Sequence, residues 1–186
     1  MAVFERSFLT MAKREFSNSK NVLHHNKGEK GYTYYGIYQS AHPSWRGWDF
    51  IYDELMNQDW MLSMASPNLY QNDNLTKEVK KFYMANYWTK LKLDYVASQK
   101  IADEIFVFAV NTNPKRAVKK AQKLVGVKQD GFIGAITIKA LNEFDERVFD
   151  VEYDKLEIGF YRYLVWLNPS RYSRFLNGWI NRAKAV

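Results

Sequence analysis

The spacing of apolar side chains near the start of the chain predicts an amphipathic helix over residues 3–16. Phe4, Phe8 and Met11 recur at intervals of three and four residues, so they share one helix face. Glu15 falls on the same face, four residues after Met11. A carboxyl group that continues an apolar stripe is unusual, and it makes Glu15 a candidate for chemistry.

A polar loop and then an aromatic run follow this helix. Residues 17–31 are rich in Asn, Ser and Gly and predict a long loop of the kind that carries function. Residues 32–38 read Tyr-Thr-Tyr-Tyr-Gly-Ile-Tyr and are rich in strand formers. They predict a short strand or hairpin.

Helical periodicity dominates the rest of the chain. Ser44, Thr76 and Ser170 are predicted helix caps, and residues 59–75 are predicted to be irregular. The predicted helices cover about residues 44–58, 76–91, 94–110, 114–125, 135–142, 146–167 and 170–184. The pattern therefore predicts an all-α, mainly helical fold with one small β element.

Aromatic side chains make up 17% of the residues, with 6 Trp, 13 Tyr and 12 Phe. A core of this size needs fewer rings, so some are expected to line a cleft where their faces stack on sugar rings. The alternative is that the tyrosines lie at the wet edge of the core. Tyr32, Tyr35 and Trp48 are the candidate substrate-binding rings, and Trp48 fits the core equally well.

Composition excludes several kinds of site. The chain has no Cys, which rules out disulfides, thiolate metal sites and cysteine nucleophiles. His24 and His25 are adjacent, but no third ligand has a diagnostic spacing, so we expect neither a metal nor a cofactor. No stretch approaches the roughly 18 apolar residues of a membrane span, and we expect no stable membrane insertion.

Charge and the N-terminal pattern set the expected partners and location. The net charge is +7 and the pI about 9.4, which attracts a polyanion such as nucleic acid, anionic lipid or cell wall. No nucleic-acid motif appears, so nucleic acid is not an expected partner. The lysines at positions 77, 80, 81, 119, 120 and 123 are predicted to form solvated helix faces, which are also suited to contact with an anionic wall. Residues 1–16 lack an apolar signal region, which predicts cytoplasmic synthesis. We expect a monomer.

A carboxyl group beside an apolar wall is suited to the cleavage of a glycosidic bond. The reaction needs an acid that is still protonated near neutral pH, and an apolar surrounding raises the pKa of a carboxyl group. Glu15 extends an apolar stripe and fits this role. A second group must hold a water or stabilise the transition state, and Glu29 and Thr33 are the candidates. The alternative is that Glu15 is a salt-bridged surface residue.

Motifs along the first half resemble those of glycoside hydrolase family 108, the phage-type N-acetylmuramidases of lysis cassettes. Glu15-Phe16-Ser17-Asn18 stands where relatives read Glu-Gly-Gly-Tyr-x-Asn, and the segment 30–37 stands where they read Gly-Gly-x-Thr-x-x-Gly-Ile. The match lacks Gly-Gly-Tyr, has a longer loop after Glu15, and has Gly28-Glu29-Lys30-Gly31 where relatives often carry an acidic residue. Further resemblance lies in Phe82-Tyr83, Tyr87-Trp88, Gln99, Ile101-Ala102 and Phe108-Ala109-Val110-Asn111.

The second half resembles the peptidoglycan-binding domain that accompanies this family. Its matching residues are Ala121-Gln122, Gly126, Asp130-Gly131-Phe132-Ile133-Gly134, Thr137, Phe160-Tyr161-Arg162, Phe175-Leu176, Gly178-Trp179 and Asn181-Arg182. The resemblance implies a lysozyme-like catalytic domain at residues 1–112 and a helical peptidoglycan-binding domain at 113–186, packed on the first.

The resemblance also implies a function. It points to a lysozyme that cleaves the β-1,4 bond between N-acetylmuramic acid and N-acetylglucosamine, as a phage or prophage endolysin released by a holin or another route. Glu15 takes the general-acid position, Thr33 or Glu29 the second catalytic role, and Asn18 joins the three rings as a contact to the glycan strand. Two alternatives stay open: a lytic transglycosylase, and a non-catalytic wall-binding or secretion-related protein.

Overall fold

The computed structural model describes residues 1–15, 18–26 and 30–186, and for Arg14 and Glu15 the backbone alone. The chain divides into two compact units, one formed by Met1–Thr10 with Met84–Val186 and the other by Met11–Tyr83. None of the helices in this part of the chain combines the length and the apolar character needed to cross a membrane.

Helices make up most of both units. They are α1 (Phe4–Glu15), α2 (Gly47–Asn57), α3 (Leu62–Tyr70), α4 (Asp73–Tyr83), α5 (Gln99–Asn111), α6 (Pro114–Leu124), α7 (Ala135–Glu143), α8 (Glu146–Leu167), α9 (Pro169–Tyr172) and α10 (Leu176–Ala183). A π-helical turn at Met84–Trp88 follows α4, and 3₁₀ turns lie at Ser19–Asn21, Leu93–Tyr95 and Ser173–Phe175. The strands are β1 (Leu23–His24), β2 (Thr33–Tyr34) and β3 (Ile37–Tyr38).

Local polar groups fix several of these boundaries. Ser98 accepts a hydrogen bond from the backbone N–H of Ile101 and so starts α5. Asp145 accepts from two N–H groups in the first turn of α8. Asn72, rather than the predicted Thr76, caps α4 by accepting from the N–H groups of residues 74 and 75. Short side chains with a suitably placed oxygen therefore decide where these helices begin.

Two regions differ from the sequence prediction. Residues 59–75 were expected to be irregular but contain α3, which carries Pro67 inside it and buries Ala65, Ser66 and Leu69. The expected loop at 17–31 contains β1, which pairs with β2. Tertiary contacts stabilise α3 and β1, since α3 packs on β1 and on the 3₁₀ turn at Ser19–Asn21. The prediction of a hairpin at 32–38 is confirmed.

The Met11–Tyr83 unit is built around an antiparallel sheet in the order β1-β2-β3. Leu23 lies opposite Tyr34, and Tyr34 lies opposite Ile37. One hydroxyl on α3 contacts both the sheet and the 3₁₀ turn before it: Ser66 accepts from the N–H of Leu23 in β1 at 3.2 Å and donates to the carbonyl of Ser19 at 2.7 Å. A single buried serine therefore holds the start of the sheet against the helix.

The unit of Met1–Thr10 and Met84–Val186 has α5 at its centre. This helix is buried along most of its length and packs on α6 and α8. Phe108 lies within 6.0 Å, ring to ring, of Tyr153 and Tyr161 on α8. The predicted domain boundary at residue 112 therefore falls between helices that share one core in this unit.

Candidate functional site

The turn between β2 and β3 holds a tyrosine in an unusual backbone conformation. Tyr35 and Gly36 both have positive φ, at +49° and +72°, as in the type I′ turns that match the twist of a hairpin. Glycine adopts this conformation freely, whereas another residue pays roughly 1–2 kcal/mol. Strain of this kind is concentrated at functional sites and persists only where the surroundings hold it in place.

Two tyrosines hold the turn in that conformation. The hydroxyl of Tyr83 donates to the carbonyl of Tyr35 at 2.6 Å, and the ring of Tyr70 stacks on the Tyr35 ring with centroids 6.2 Å apart. Burial raises the pKa of the Tyr35 hydroxyl well above its ordinary value, and Tyr70 raises it further. Tyr35 therefore stays neutral at any physiological pH and cannot serve as a tyrosinate nucleophile.

Gln39 connects the sheet to α2. Its side-chain oxygen accepts from the N–H of Tyr32 at 3.0 Å, and its backbone N–H donates to the carbonyl of Tyr32 at 2.9 Å. Its amide group also donates to the hydroxyl of Tyr52 at 2.5 Å. Gly31, at φ +85°, lies so close that any Cβ there would overlap the Gln39 side chain. These contacts fix the position of Tyr32.

A row of aromatic rings extends from the sheet to the end of α2. The ring of Tyr32 meets His25 on one side at 5.9 Å and Tyr52 on the other at 6.2 Å, and Tyr52 meets Trp60 at 6.1 Å. Trp60 is 53% exposed, and both it and Asp59 have positive φ. This aromatic row offers ring surface for a sugar. Of these four rings, the sequence predicts only Tyr32 as a substrate contact, because the row is assembled from separate segments of the chain.

The structure describes Thr33 in full but not the side chains of the two acidic candidates. Thr33 lies in β2 opposite His24 and Tyr38 and is 2% exposed. Glu15 ends α1, but its side chain lies outside the described residues, as does the whole of Glu29. The hairpin thus brings Tyr32, Thr33 and Tyr35 together. That Glu15 or Glu29 lies close to them stays a prediction.

Asn18 and Trp48 each have a local role. The side chain of Asn18 is exposed and caps the 3₁₀ turn by accepting from the N–H of Lys20 at 3.0 Å. Trp48 is only 3% exposed, its indole nitrogen donates to the carbonyl of His42 at 2.8 Å, and its ring meets Trp45 edge-on. Of the two readings of Trp48 from the sequence, the structure shows the core position in this conformation. A contact between Trp48 and the glycan stays a prediction.

Three carboxyl groups converge between α5 and α8. Oxygens of Glu104, Asp150 and Asp154 lie within 4.8 Å of one another. Glu104 is fully buried, and neither of its oxygens has a hydrogen-bond partner in the part of the chain that the structure describes. Burial, followed by the charge of Glu157, raises the pKa of Glu104 to about 10, and burial raises that of Glu157 to about 9. Both side chains are therefore neutral acids at pH 7.

Comparison with known families assigns both halves of the chain. Residues 21–112 match the model of glycosyl hydrolase 108, and residues 116–184 match a predicted peptidoglycan domain. The resemblance inferred from the sequence is thereby confirmed. Glu15 lies six residues before the first matched segment. Together the matches identify a glycoside hydrolase that acts on peptidoglycan. A search of curated proteins finds no match.

The solved structure of SagA from Brucella abortus is similar to this chain along nearly its whole length. The two share 24% sequence identity, and the match covers 98% of this chain and 91% of that one with a TM-score of 0.65. At this identity the likeness supports the fold alone. The predicted lysozyme-like, mainly helical fold is confirmed.

Proposed function

We propose that this chain, which joins a glycosyl hydrolase 108 domain to a peptidoglycan domain, is an N-acetylmuramidase. It cleaves the β-1,4 bond between N-acetylmuramic acid and N-acetylglucosamine, as a phage or prophage endolysin that reaches the wall after release. The observation that carries this proposal is the order of the two family matches along one chain. A hydrolase domain next to a domain for the same polymer is suited to attack on the wall itself.

Glu15 is the proposed general acid. It stands at the C-terminal end of α1, whose face residues Phe4, Phe8 and Met11 are all buried. We expect a carboxyl group that continues such a stripe to have apolar neighbours, which would favour the protonated form that donates to the leaving oxygen. A water placed by Glu29 or Thr33 then attacks the sugar carbon. The configuration inverts if the two groups stand far enough apart to admit that water.

The tyrosine hairpin and the aromatic row supply the proposed glycan contacts. Tyr32 is held by Gln39 and by its neighbouring rings, and Tyr35 is held by Tyr70 and Tyr83. Rings fixed in this way lose little entropy when a sugar stacks on them.

The test is Glu15→Gln, assayed on purified murein and on permeabilised Gram-negative cells. Loss of a general acid lowers the rate by about 10²- to 10⁴-fold, while far-UV circular dichroism and the unfolding midpoint stay unchanged. Glu5→Gln makes the same chemical change at the other end of α1 and should keep full activity. Full lytic activity in Glu15→Gln would refute the assignment.

Mass spectrometry of the released fragments tests the reaction type. Reducing ends are expected, because water is the proposed nucleophile. Anhydro ends would show a lytic transglycosylase instead, in which an internal sugar hydroxyl takes the place of water. Sedimentation with murein without release of soluble sugar would show a wall-binding protein with no catalytic role.

A further inference from the structure

One face of α6 carries a dense row of cations. Lys115, Lys119 and Lys123 follow each other at four-residue intervals and share one helix stripe, with Arg116 and Lys120 on the stripe beside it. A groove of about 480 Å³ runs along this face. Its lining consists of these five cations with Asn113, Gln129 and Phe160. Among the residues that the structure describes, the lining includes five cations and no acidic side chain.

Phe160 from α8 forms the floor of the groove and orders two of the cations. The guanidinium of Arg116 lies 4.4 Å above the centre of the Phe160 ring, and the Lys120 ammonium lies 5.7 Å from it. Lys120 also donates to the carbonyl of Leu156 at 2.9 Å. These contacts hold the inner cations in place before any ligand arrives, which lowers the entropy lost on binding.

The positive charge of the groove is largely uncompensated. Among the ion pairs formed by residues 1–15, 18–26 and 30–186, none involves Lys115, Lys119 or Lys123. Burial, and next the charge of Lys123, lowers the pKa of the Lys120 ammonium. An anion bound here would relieve the mutual repulsion of the lysines.

A second, more aromatic pocket adjoins the basic groove. It has a volume of about 250 Å³, shares Arg116 and Phe160 with the groove, and is also lined by Tyr161 and Trp179. Trp179 is half-buried and stacks on Tyr161 with centroids 5.0 Å apart. Ring surface of this kind suits a sugar, while the adjoining cations suit an acidic group attached to it.

We propose that the α6 groove is a second peptidoglycan-binding site, which takes the carboxylates of the stem peptides while the adjoining aromatic pocket takes a sugar ring. The inference rests on the proposed function for its choice of polymer. Both cavities lie within or beside residues 116–184, the segment that matches a peptidoglycan domain. Stem peptides carry free carboxylates, whereas in the intact wall the lactyl carboxyl of each peptide-bearing N-acetylmuramic acid is blocked by its amide bond to the stem peptide. Lys115 and Lys123 are separated by about 12 Å along the helix, enough to contact more than one carboxylate.

The experiment compares two triple variants that lose the same charge. Lys115→Gln, Lys119→Gln and Lys123→Gln together remove the outer row of the groove. Exposed lysines elsewhere supply the matched control, in which positions 77, 139 and 155 become Gln. Sedimentation with intact sacculi and with chitin, a peptide-free polymer of N-acetylglucosamine without carboxyl groups, measures binding, and a phosphate-rich teichoic acid is tested as a further polyanion. Hydrolysis of a soluble peptide-free glycan is measured in parallel.

The groove variant should bind intact sacculi about tenfold more weakly than wild type, since three exposed charge contacts are lost. The control should bind within twofold of wild type, and chitin should bind wild type and groove variant alike. Equal losses in both triple variants, no loss in either, or a loss seen only with teichoic acid would overturn the proposal. Hydrolysis of the soluble glycan should be the same in all three proteins. A chain that binds through the groove but cleaves nothing would refute the proposed function and leave this inference standing.

Discussion

At the scale of single residues, Tyr35 shows how the hairpin combines strain with support. Its positive φ disfavours the turn, and the hydroxyl of Tyr83 and the ring of Tyr70 offset that cost. The sequence predicted a hairpin at these positions but not the supporting tyrosines, which lie 35 and 48 residues further along the chain.

The supporting hydrogen bond can be tested with Tyr83→Phe. The variant loses the donor to the Tyr35 carbonyl, and we expect the free energy of unfolding to fall by about 1 kcal/mol. Urea unfolding measures the change. Tyr95→Phe removes a hydroxyl from an exposed ring (56% exposed) and should be neutral. Equal stability of Tyr83→Phe and wild type would show that this bond does not hold the turn.

At the scale of elements, the contact between α5 and α8 brings several carboxyl groups close together. Glu104 faces Asp150 and Asp154, and the charge of Glu157 also acts on it. Lys100 pairs with Asp150 at 3.2 Å on the more exposed side of this cluster. The raised pKa values of Glu104 and Glu157 favour their protonated forms at neutral pH, which reduces the repulsion between carboxylates at this contact.

The charge state of Glu104 predicts a pH dependence. Its pKa is about 10 in the folded chain, against 4.5 as its ordinary value. Between these pH values the folded state binds more protons than the unfolded state. The contribution of Glu104 to the free energy of unfolding is therefore fully present below pH 4.5 and is lost as the pH rises towards 10. Glu104→Gln replaces the ionisable carboxyl group with a neutral amide. The free energy of unfolding of this variant, relative to that of wild type, should therefore rise by up to about 1.4 kcal/mol per pH unit.

Thermal and urea unfolding between pH 5 and pH 9 measure this difference. Glu143→Gln, at an exposed glutamate on α7, is the control and should show no such trend. A constant difference between Glu104→Gln and wild type across that range would mean that Glu104 is ionised in the folded chain.

At the scale of the whole molecule, the boundary between the two family matches does not coincide with the boundary between the two compact units, because the end of the first match shares a core with the second. The first match ends at residue 112 and so includes α5, yet α5 packs on α6 and α8. Phe108 is fully buried, partly by Tyr153 and Tyr161 of α8. The hydrolase segment therefore depends on the peptidoglycan segment for part of its folded structure.

Expression of residues 1–112 alone tests this dependence. Without α6 and α8 the apolar face of α5 is exposed, at a cost of about 1.5–3 kcal/mol for each large side chain. We expect no cooperative thermal transition and weak near-UV circular dichroism, in contrast with the full chain. A fragment with a sharp transition and native near-UV signal would show that the first segment folds by itself.

Local pattern determined much of this protein by itself. Periodicity and caps predicted α6 within one residue and both ends of α8, the aromatic run predicted the hairpin, and motifs along the chain identified the family. These features depend on residues close together in sequence, where a helix or turn satisfies its own backbone. Only the tertiary structure decided that residues 62–70 form a helix, that β1 joins the sheet, and that Trp48 is buried. It also assembled the aromatic row, the Glu104 cluster and the basic groove. Each of these depends on contacts between segments that are distant in the sequence. The burial and the charge state of their residues are set by neighbours that the local sequence pattern does not identify.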